Sequence, residues 1–224
     1  MKTITVAGGK GGVGKSLIAS SIAYELSRRA YKVLLVDADV DNPCIESFLG
    51  VESSYVKAIE RSSRKLAYIK ESKFRDLDIT TCELIPGVKA SCLVVTKFVK
   101  SITDKFKHYE YVIIDSPPGT GSIVYTLVKI ANTVIAVTEP TRLGINDYLK
   151  FMSMIGRIEE KKHVITVINK FNLSSKLTSE IEEKASKFNT ITIKIPYIQE
   201  IPSRVMTHED FKKAINGIVN ILLK

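Results

Sequence analysis

The chain has 224 residues, of which 45% are hydrophobic, so it is long enough for one large domain with a substantial core and too apolar for a disordered protein. Its net charge of +9 is spread along the chain, so a basic binding face would have to be assembled by folding. An apolar run of about 18 residues and a signal-peptide pattern are both lacking, and three widely spaced cysteines do not suit a disulfide framework, so we expect a cytoplasmic protein.

Short runs rich in β-branched residues alternate with longer stretches of helical periodicity along most of the chain. The predicted strands are 4–7, 33–36, 111–114, 133–137, 164–168 and 190–193. The predicted helices are 15–30, 92–106, 120–131, 144–159, 174–188 and 208–223. This alternation predicts an α/β fold: a doubly wound, mostly parallel sheet flanked by helices.

Residues 51–90 form the least regular segment, charged and rich in serine. We predict one helix near 54–65 and one strand near 78–84 there. Because no internal repeat and no linker rich in Pro or Gly interrupts the chain, we predict a single domain over 1–224, with 51–90 as its variable segment.

The stretch GGKGGVGKS, residues 8–16, lies between the first predicted strand and the first predicted helix and fits the pattern G-x-x-x-x-G-K-[ST]. In such a loop the backbone N–H groups converge on phosphate oxygens, and the helix N-terminus adds its positive end. Lys15 would neutralise the β- and γ-phosphates, and Ser16 Oγ would ligate Mg²⁺. The predicted nucleotide-binding residues of this stretch are Gly9, Lys10, Gly11, Gly12, Val13, Gly14, Lys15, Ser16 and Leu17.

Carboxylates follow two of the predicted strands. Asp37 and Asp39 come at the end of the second strand, and Asp115 ends the run Tyr111–Ile114 before the segment Ser-Pro-Pro-Gly-Thr-Gly. Carboxylates at the carboxyl ends of parallel strands, beside a phosphate loop, are well placed for metal and water chemistry. Asp115 would hold Mg²⁺ through a water molecule.

Together these motifs resemble the MinD/ParA/Mrp family of deviant Walker A P-loop ATPases. The stretch Lys10–Ser16 carries the extra lysine of that family, and DSPPGTG at 115–121 is nearest to its archaeal MinD-like and Mrp-type branch. The resemblance implies ATP and Mg²⁺ as cofactors, slow ATP hydrolysis stimulated by a partner, and an ATP-bound homodimer in which Lys10 reaches the partner subunit's phosphates.

The resemblance also assigns roles to individual residues. Lys10, Lys15 and Asp39 would be catalytic, with Asp39 orienting or deprotonating the attacking water. Asp37 and Asp115 would each hold Mg²⁺ through water, beside the direct ligand Ser16.

Two later positions match the family's base pocket. Asn169 follows a strand, and its amide suits the N6 edge of adenine, although a strand-end cap is an alternative. Pro196 follows the next strand, where the family's backbone lines the purine. Ile198 stands where family members often have an acidic residue, so this chain departs from the pattern there.

The biological task is less specific than the fold. An ATP-controlled homodimer switch for positioning or partitioning is the first hypothesis, delivery of metal or iron–sulfur clusters is the second, and a non-catalytic nucleotide-dependent regulator is the third. Cys44, Cys82 and Cys92 form neither the ferredoxin cluster nor the CxxC motif of the branch. One cysteine from each of two subunits could still share a metal site, or the thiols could be inert.

An unidentified protein partner is expected, and two further partners were considered. An apolar stripe on the last helix more often packs on its own sheet than on a membrane surface; it comprises Phe211, Ile215, Ile218 and Leu222. Non-specific DNA could bind a basic cluster on the predicted helix near 54–65, unless that face is merely solvated. That cluster comprises Lys57, Arg61, Arg64 and Lys65.

Overall fold

The computed structural model describes residues 1–200 and 205–224. Nine strands form one sheet in the order β3-β4-β5-β2-β6-β1-β7-β8-β9. The strands are β1 (Lys2–Ala7), β2 (Val33–Asp37), β3 (Ser54–Arg61), β4 (Arg64–Phe74), β5 (Leu77–Leu84), β6 (Tyr111–Asp115), β7 (Thr133–Thr138), β8 (His163–Asn169) and β9 (Ile191–Ile195). Across the sheet, every neighbouring pair from β5 to β9 (β5-β2-β6-β1-β7-β8-β9) is parallel, which confirms the predicted doubly wound sheet.

Helices cover both faces of the sheet, as predicted. They are α1 (Lys15–Arg28), α2 (Ile45–Leu49), α3 (Ser91–Phe106), α4 (Ser122–Ile130), α5 (Arg142–Ile155), α6 (Ser175–Lys187) and α7 (Glu209–Leu222), and a short 3₁₀ turn spans Phe171–Leu173. The predicted helices agree with the observed ones to within a few residues. The five-residue helix α2 was not predicted, because a single turn carries too little periodicity to be recognised.

The central strands are buried because both of their faces are packed. On one face, α1 and α7 pack against residues of β1, β2 and β6 such as Val6, Leu35 and Ile113. On the other face, α3 packs against alternate residues such as Val36 and Ile114. This two-sided burial explains the near-continuous apolar runs from which the strands were predicted.

The variable segment folds differently from the prediction. The expected helix near 54–65 is wrong: these residues form β3, the turn at 62–63 and the start of β4, in an antiparallel hairpin that extends the sheet beyond β5. Ile59, Leu66 and Ile69 are buried against α3, so tertiary packing favours strands although the segment is strongly charged. The strand predicted near 78–84 is present as β5.

The basic cluster therefore lies on a hairpin and not on a helix. Lys57 and Arg61 belong to β3, and Arg64 and Lys65 belong to β4, with Arg61 and Arg64 paired beside the turn. The apolar stripe of the last helix packs inward, as expected, because its four residues are all buried in the core beside α1; they are Phe211, Ile215, Ile218 and Leu222. Among the described residues, no helix has the length and apolar character needed to span a membrane.

Candidate functional site

The carboxyl ends of four neighbouring strands bring most of the predicted site residues to one edge of the sheet, which we call the carboxyl edge. β1 leads into the phosphate loop, β2 ends at Asp37, β6 ends at Asp115, and β7 ends just before Glu139. Asp37 and Asp115 are register partners on adjacent parallel strands. Residues that are far apart in the sequence therefore meet around the loop.

The phosphate loop is held in place by contacts with the carboxyl edge. Gly14 has a φ of +91°, and a Cβ atom there would lie 2.5 Å from Asn169 Nδ2, so both its conformation and its surroundings require glycine. Asn169 Nδ2 donates a hydrogen bond to the carbonyl oxygen of Val13 at 2.8 Å, and the Val13 side chain is buried in the core. The loop is thus anchored from below by Val13 and from the side by Asn169.

Lys15 is the first residue of α1 and is buried beside the loop. Its Nζ donates to the carbonyl oxygen of Lys10 at 3.3 Å, and it forms no ion pair with any carboxylate in the described ranges 1–200 and 205–224. Burial lowers the pKa of Lys15, while Asp115 and Asp39 oppose that shift. A buried ammonium group with unused donors is a suitable partner for an anion.

Asp115 is fully buried, and within the described residues neither of its carboxylate oxygens accepts a hydrogen bond of normal geometry. Burial raises the pKa of Asp115 well above its usual value, and Asp37 adds to the shift, while the Ser16 hydroxyl and Lys15 oppose it. A buried carboxylate without donors is costly unless something else satisfies its oxygens.

Asp37 is also fully buried but is better satisfied. Its Oδ2 accepts hydrogen bonds from the backbone N–H groups of Cys44 and Ile45 at 3.0 and 3.1 Å, and its Oδ1 accepts one from Asp39 N at 3.2 Å. Burial raises the pKa of Asp37 to about 6 although these N–H groups lower it. Asp37 thereby fixes the N-terminal end of α2 next to the site.

The floor of the site, which we define as Lys15, Ser16, Asp37 and Asp115, fits a hydrated Mg²⁺. Two adjacent buried carboxylates, one with both oxygens unsatisfied, would be compensated by a divalent cation, and oxygen ligands are those that Mg²⁺ prefers. Within residues 1–200 and 205–224, no group of three His, Cys, Asp or Glu side chains is placed to hold a metal ion. That Asp37 and Asp115 act on Mg²⁺ through water stays a prediction.

Asp39 lies just above the floor, on the loop that follows β2, and is partly exposed. Burial raises the pKa of Asp39, and the backbone N–H of Asn42 and the Lys15 ammonium oppose the shift. The neighbouring Asp41 faces elsewhere, since its Oδ1 accepts a hydrogen bond from Ser91 Oγ at 2.8 Å. Of the carboxylates on this loop, Asp39 is the one whose charge is felt by Lys15.

At the mouth of the site, defined as Lys10, Glu139 and Lys170, two lysines share one carboxylate. Lys10 Nζ lies 2.5 Å from Glu139 Oε1, and Lys170 Nζ lies 3.0 Å from Glu139 Oε2 and 3.3 Å from the carbonyl oxygen of Gly12. Burial raises the pKa of Glu139, but the two lysines outweigh it, so the pKa lies below the usual value. In this structure the extra lysine of the loop is therefore bound within its own subunit.

Sequence reasoning did not single out Glu139 or Lys170 as site residues. Both follow strands that end at the carboxyl edge, Glu139 after β7 and Lys170 after β8. The signal that could have found them is the same one that identified Asp37 and Asp115: a charged residue directly after a buried parallel strand.

The two predicted base-pocket residues lie at the ends of neighbouring strands. Asn169 pairs with Ile195 in register, and Pro196 follows directly. The Asn169 amide is already engaged, since its Oδ1 accepts from Lys170 N at 3.0 Å while its Nδ2 holds the loop. Because Oδ1 can accept a second hydrogen bond, a contact with adenine N6 stays a prediction.

The segment after β6 folds over the loop from the other side. Gly119 N donates to the carbonyl oxygen of Gly8 at 3.1 Å, and Ser116 N donates to that of Val6 at 3.1 Å. These contacts join the segment to the phosphate loop, so a change in either would affect the other.

The three cysteines are not equivalent. Cys82 is buried, and burial raises its pKa to about 12, so it is unreactive. Cys44 is exposed just before α2, and Cys92 is exposed in the first turn of α3, where its Sγ lies 3.5 Å from Ser122 Oγ.

Comparison with known proteins gives one family for nearly the whole chain. The model of the family named ParA, described as NUBPL iron-transfer P-loop NTPase, matches residues 1–214. The chain is 29% identical over 170 residues to an iron-sulfur cluster carrier protein of Pyrococcus abyssi, covering 70% of this chain and 57% of that protein. It is 28% identical over 229 residues to the septum site-determining protein MinD of Thermotoga maritima, covering 98% of this chain and 80% of that protein.

Solved structures share the fold. The septum site-determining protein MinD of Pyrococcus horikoshii, in complex with Mg-ADP, superposes with a TM-score of 0.73 over 99% of this chain and 95% of that one, at 17% identity. The sheet order, the flanking helices and the loop between β1 and α1 are thus those of a known fold.

Proposed function

Because the chain belongs to the ParA family of P-loop NTPases, we propose that it binds ATP with Mg²⁺ at the carboxyl edge, hydrolyses it slowly, and acts as an ATP-controlled homodimer switch. The observation that supports binding most strongly is the floor of the site. There a buried lysine that forms no ion pair among the described residues lies beside two buried aspartates, and both carboxylate oxygens of one of them, Asp115, are unsatisfied within those residues.

The floor residues would divide the work between anion and cation. Lys15 and the loop N–H groups would bind the phosphates, while Ser16, Asp37 and Asp115 would hold Mg²⁺, the two aspartates through water. Bound Mg²⁺ supplies charge stabilisation at the phosphoryl oxygens. Asp39 would orient the attacking water and accept its proton at a carboxylate oxygen, and its raised pKa suits that role.

The mouth supports the switch. Lys10 is bound to Glu139 of its own subunit, and about a third of its side chain is exposed. In the ATP-bound dimer, we propose, Lys10 leaves Glu139 and reaches the phosphates of the second subunit. Glu139 is buried, but Lys170 stays paired with it when Lys10 leaves, and Lys10 is already partly exposed, so the exchange of partners needs little free energy.

Calorimetric titration of the wild-type chain with ATP, in the presence of Mg²⁺ or of a chelator, tests the binding step. We expect binding that is much tighter with Mg²⁺, followed by phosphate release in a single-turnover assay. Binding that ignores Mg²⁺ would contradict the role of the floor. Mg²⁺-dependent binding without any phosphate release would instead identify a nucleotide-dependent regulator.

Delivery of iron–sulfur clusters is a second candidate for what the switch controls. It is supported by the iron-transfer NTPases of the family, by the similarity to an iron-sulfur cluster carrier protein of Pyrococcus abyssi, and by the exposed residues Cys44 and Cys92. A dimer would offer four such thiols, the number that ordinary clusters take. Iron and sulfide analysis of the anaerobically purified chain and its Cys92→Ser variant tests this: a cluster lost in the variant supports delivery, and a chain without iron contradicts it.

The positioning candidate has a different signature. A protein that positions cargo would sediment with DNA or with lipid vesicles only when Mg-ATP is present, and the basic hairpin formed by β3 and β4 is the natural surface for DNA. Sedimentation that is the same with Mg-ADP would contradict an ATP-controlled role.

A further inference from the structure

A groove lies on the outer side of α1, centred on Tyr24. One cavity, of about 310 Å³, is lined by five apolar or aromatic side chains, namely Tyr24, Phe48, Leu49, Phe74 and Met206. A second cavity, of about 630 Å³, shares Tyr24, Arg28 and Arg75 with the first and extends towards the start of β2. We call the two together the Tyr24 groove.

Basic side chains surround the apolar lining of the groove. Arg28, Arg75 and Lys212 line the first cavity, and none of the described residues that line it is acidic. Arg28 pairs with Glu25 at 2.9 Å, but Arg75 and Lys212 form no ion pair in the described part of the chain. The second cavity adds Lys32 and Lys73, against Asp76 and Asp78.

We propose that the Tyr24 groove binds an acidic segment of a partner protein that carries a large apolar side chain between its carboxylates. The apolar side chains of the groove would contact that side chain. Arg75 donates a hydrogen bond to Tyr24 Oη at 2.7 Å but, like Lys212, forms no ion pair among the described residues, so both could meet the flanking carboxylates. The net charge of +9 would also speed the approach of an acidic partner.

An extended segment fits better than a compact anion, because the cations are distributed along two joined cavities and do not converge on one point. A single-stranded nucleic acid fits less well, because it needs free aromatic faces for its bases. Tyr24 and Phe74 pack edge to face at 5.4 Å, and the Arg75 guanidinium lies 5.6 and 5.8 Å from their ring centroids. The faces of these two rings are therefore already covered, whereas Phe48, Leu49 and Met206 are only partly buried and can contact an apolar side chain.

The groove is joined to the nucleotide site through α2. Asp37 holds the first backbone N–H groups of this helix, and Phe48 and Leu49 at its other end line the groove. A partner that shifts α2 would change the surroundings of Asp37, and by linkage a nucleotide would change the affinity for the partner. This connection, unlike the groove itself, rests on the proposed function.

The test uses the full chain without nucleotide and a fluorescein-labelled synthetic peptide in which one phenylalanine stands among aspartates and glutamates. Two matched peptides carry either amides in place of the carboxylates or alanine in place of phenylalanine. We expect the acidic peptide to bind, each matched peptide to bind about tenfold more weakly, and added salt to weaken binding.

Variants locate the binding. We expect Arg75→Gln and Lys212→Gln each to weaken binding of the acidic peptide by about fivefold to tenfold. Lys212→Gln should leave the melting temperature unchanged, whereas Arg75→Gln should lower it slightly because it loses the hydrogen bond to Tyr24 Oη. Lys176→Gln, an exposed lysine on α6 outside the groove, is the matched control and should bind like the wild type. Equal losses in the control, equal binding of the amide peptide, or tighter binding of oligothymidine through Arg75 and Lys212 would each overturn the proposal.

Peptide titrations repeated with Mg-ATP examine the connection through α2. A change in peptide affinity of several-fold supports that connection. An unchanged affinity in a chain that binds Mg-ATP overturns it, and a chain that binds peptide but no nucleotide places the failure in the proposed function.

Discussion

The floor and the mouth of the site are built from the same kinds of residue but in opposite ways. Lys15, Asp37 and Asp115 are buried, and neither Asp115 oxygen accepts a hydrogen bond of normal geometry from a described residue, so the floor is arranged for a ligand whose charges complement it. At the mouth, Lys10 and Lys170 already share Glu139 and remain partly exposed. The difference indicates that binding and switching are separate tasks. The floor has charged groups that a ligand can pair with directly, whereas Lys10 at the mouth must first leave Glu139 before it can bind anything else.

The largest effect is expected at the floor. Lys15→Ala removes the buried ammonium group that faces the phosphates, so hydrolysis should fall at least about 100-fold. Phosphate release at saturating Mg-ATP measures this, with Lys176→Ala as a control for the loss of an ordinary surface lysine. Activity within a few-fold of the wild type in Lys15→Ala would contradict the role of Lys15 in binding the phosphates.

Asp39→Ala should also slow hydrolysis by about 100-fold, but for a different reason, since it removes the water-orienting carboxylate and leaves binding intact. The variant should therefore accumulate as an ATP-bound dimer, which sizing after incubation with Mg-ATP would detect. Asp41→Ala is a matched control, because that neighbouring carboxylate bonds to Ser91. Normal turnover with monomers in Asp39→Ala would refute the role of Asp39.

Asp115→Asn is expected to raise the stability of the free chain and to reduce the stabilisation that Mg-ADP provides. Without nucleotide and metal, the neutral amide removes the cost of burying a carboxylate whose pKa burial raises well above its usual value, so the free energy of unfolding should rise by about 1 kcal/mol. With Mg-ADP, the wild type should gain more thermal stability than the variant, because only the carboxylate helps to hold Mg²⁺. Equal gains in melting temperature would show that Asp115 does not act through the metal.

Glu139→Gln should give the smallest change in stability, less than about 1 kcal/mol, because both lysines at the mouth are partly exposed. The pKa of Glu139 is lower in the folded chain than in the unfolded chain, so its carboxylate stabilises the fold above the usual carboxyl pKa. That contribution is lost as the pH falls through the lowered value.

The difference in unfolding free energy between wild type and Glu139→Gln should therefore shrink on acidification, as urea titrations over a pH series would show. The same variant should form the ATP-bound dimer more readily, because Lys10 is freed. A difference that grows towards acid, or weaker dimerisation, would contradict the account of the mouth.

The floor could be predicted from the sequence because its signals are local. The phosphate loop is one contiguous stretch, and Asp37 and Asp115 each end an apolar run. Parallel strands place such ends side by side by rule. No distance had to be known to assemble Lys15, Asp37 and Asp115.

The mouth and the hairpin could not be predicted in the same way. Lys10 and Glu139 are 129 residues apart, and the residues next to each of them in the sequence do not indicate that the two form an ion pair. The sequence predicts a helix near 54–65, whereas Ile59 and Leu66 lie in a hairpin and pack against α3. In both cases the structure depends on a tertiary contact between residues distant in the sequence, which local propensity cannot predict.

The central claim is that Lys10 moves from Glu139 to the nucleotide of a second subunit. Light scattering of the wild type and of Lys10→Ala, with Mg-ATP, with Mg-ADP and without nucleotide, tests it most directly. We predict a dimer only for the wild type with Mg-ATP, and monomers in every other sample. The same mass for both proteins in every nucleotide state would contradict the claim, and the chain would then bind nucleotide without using its extra lysine as a switch.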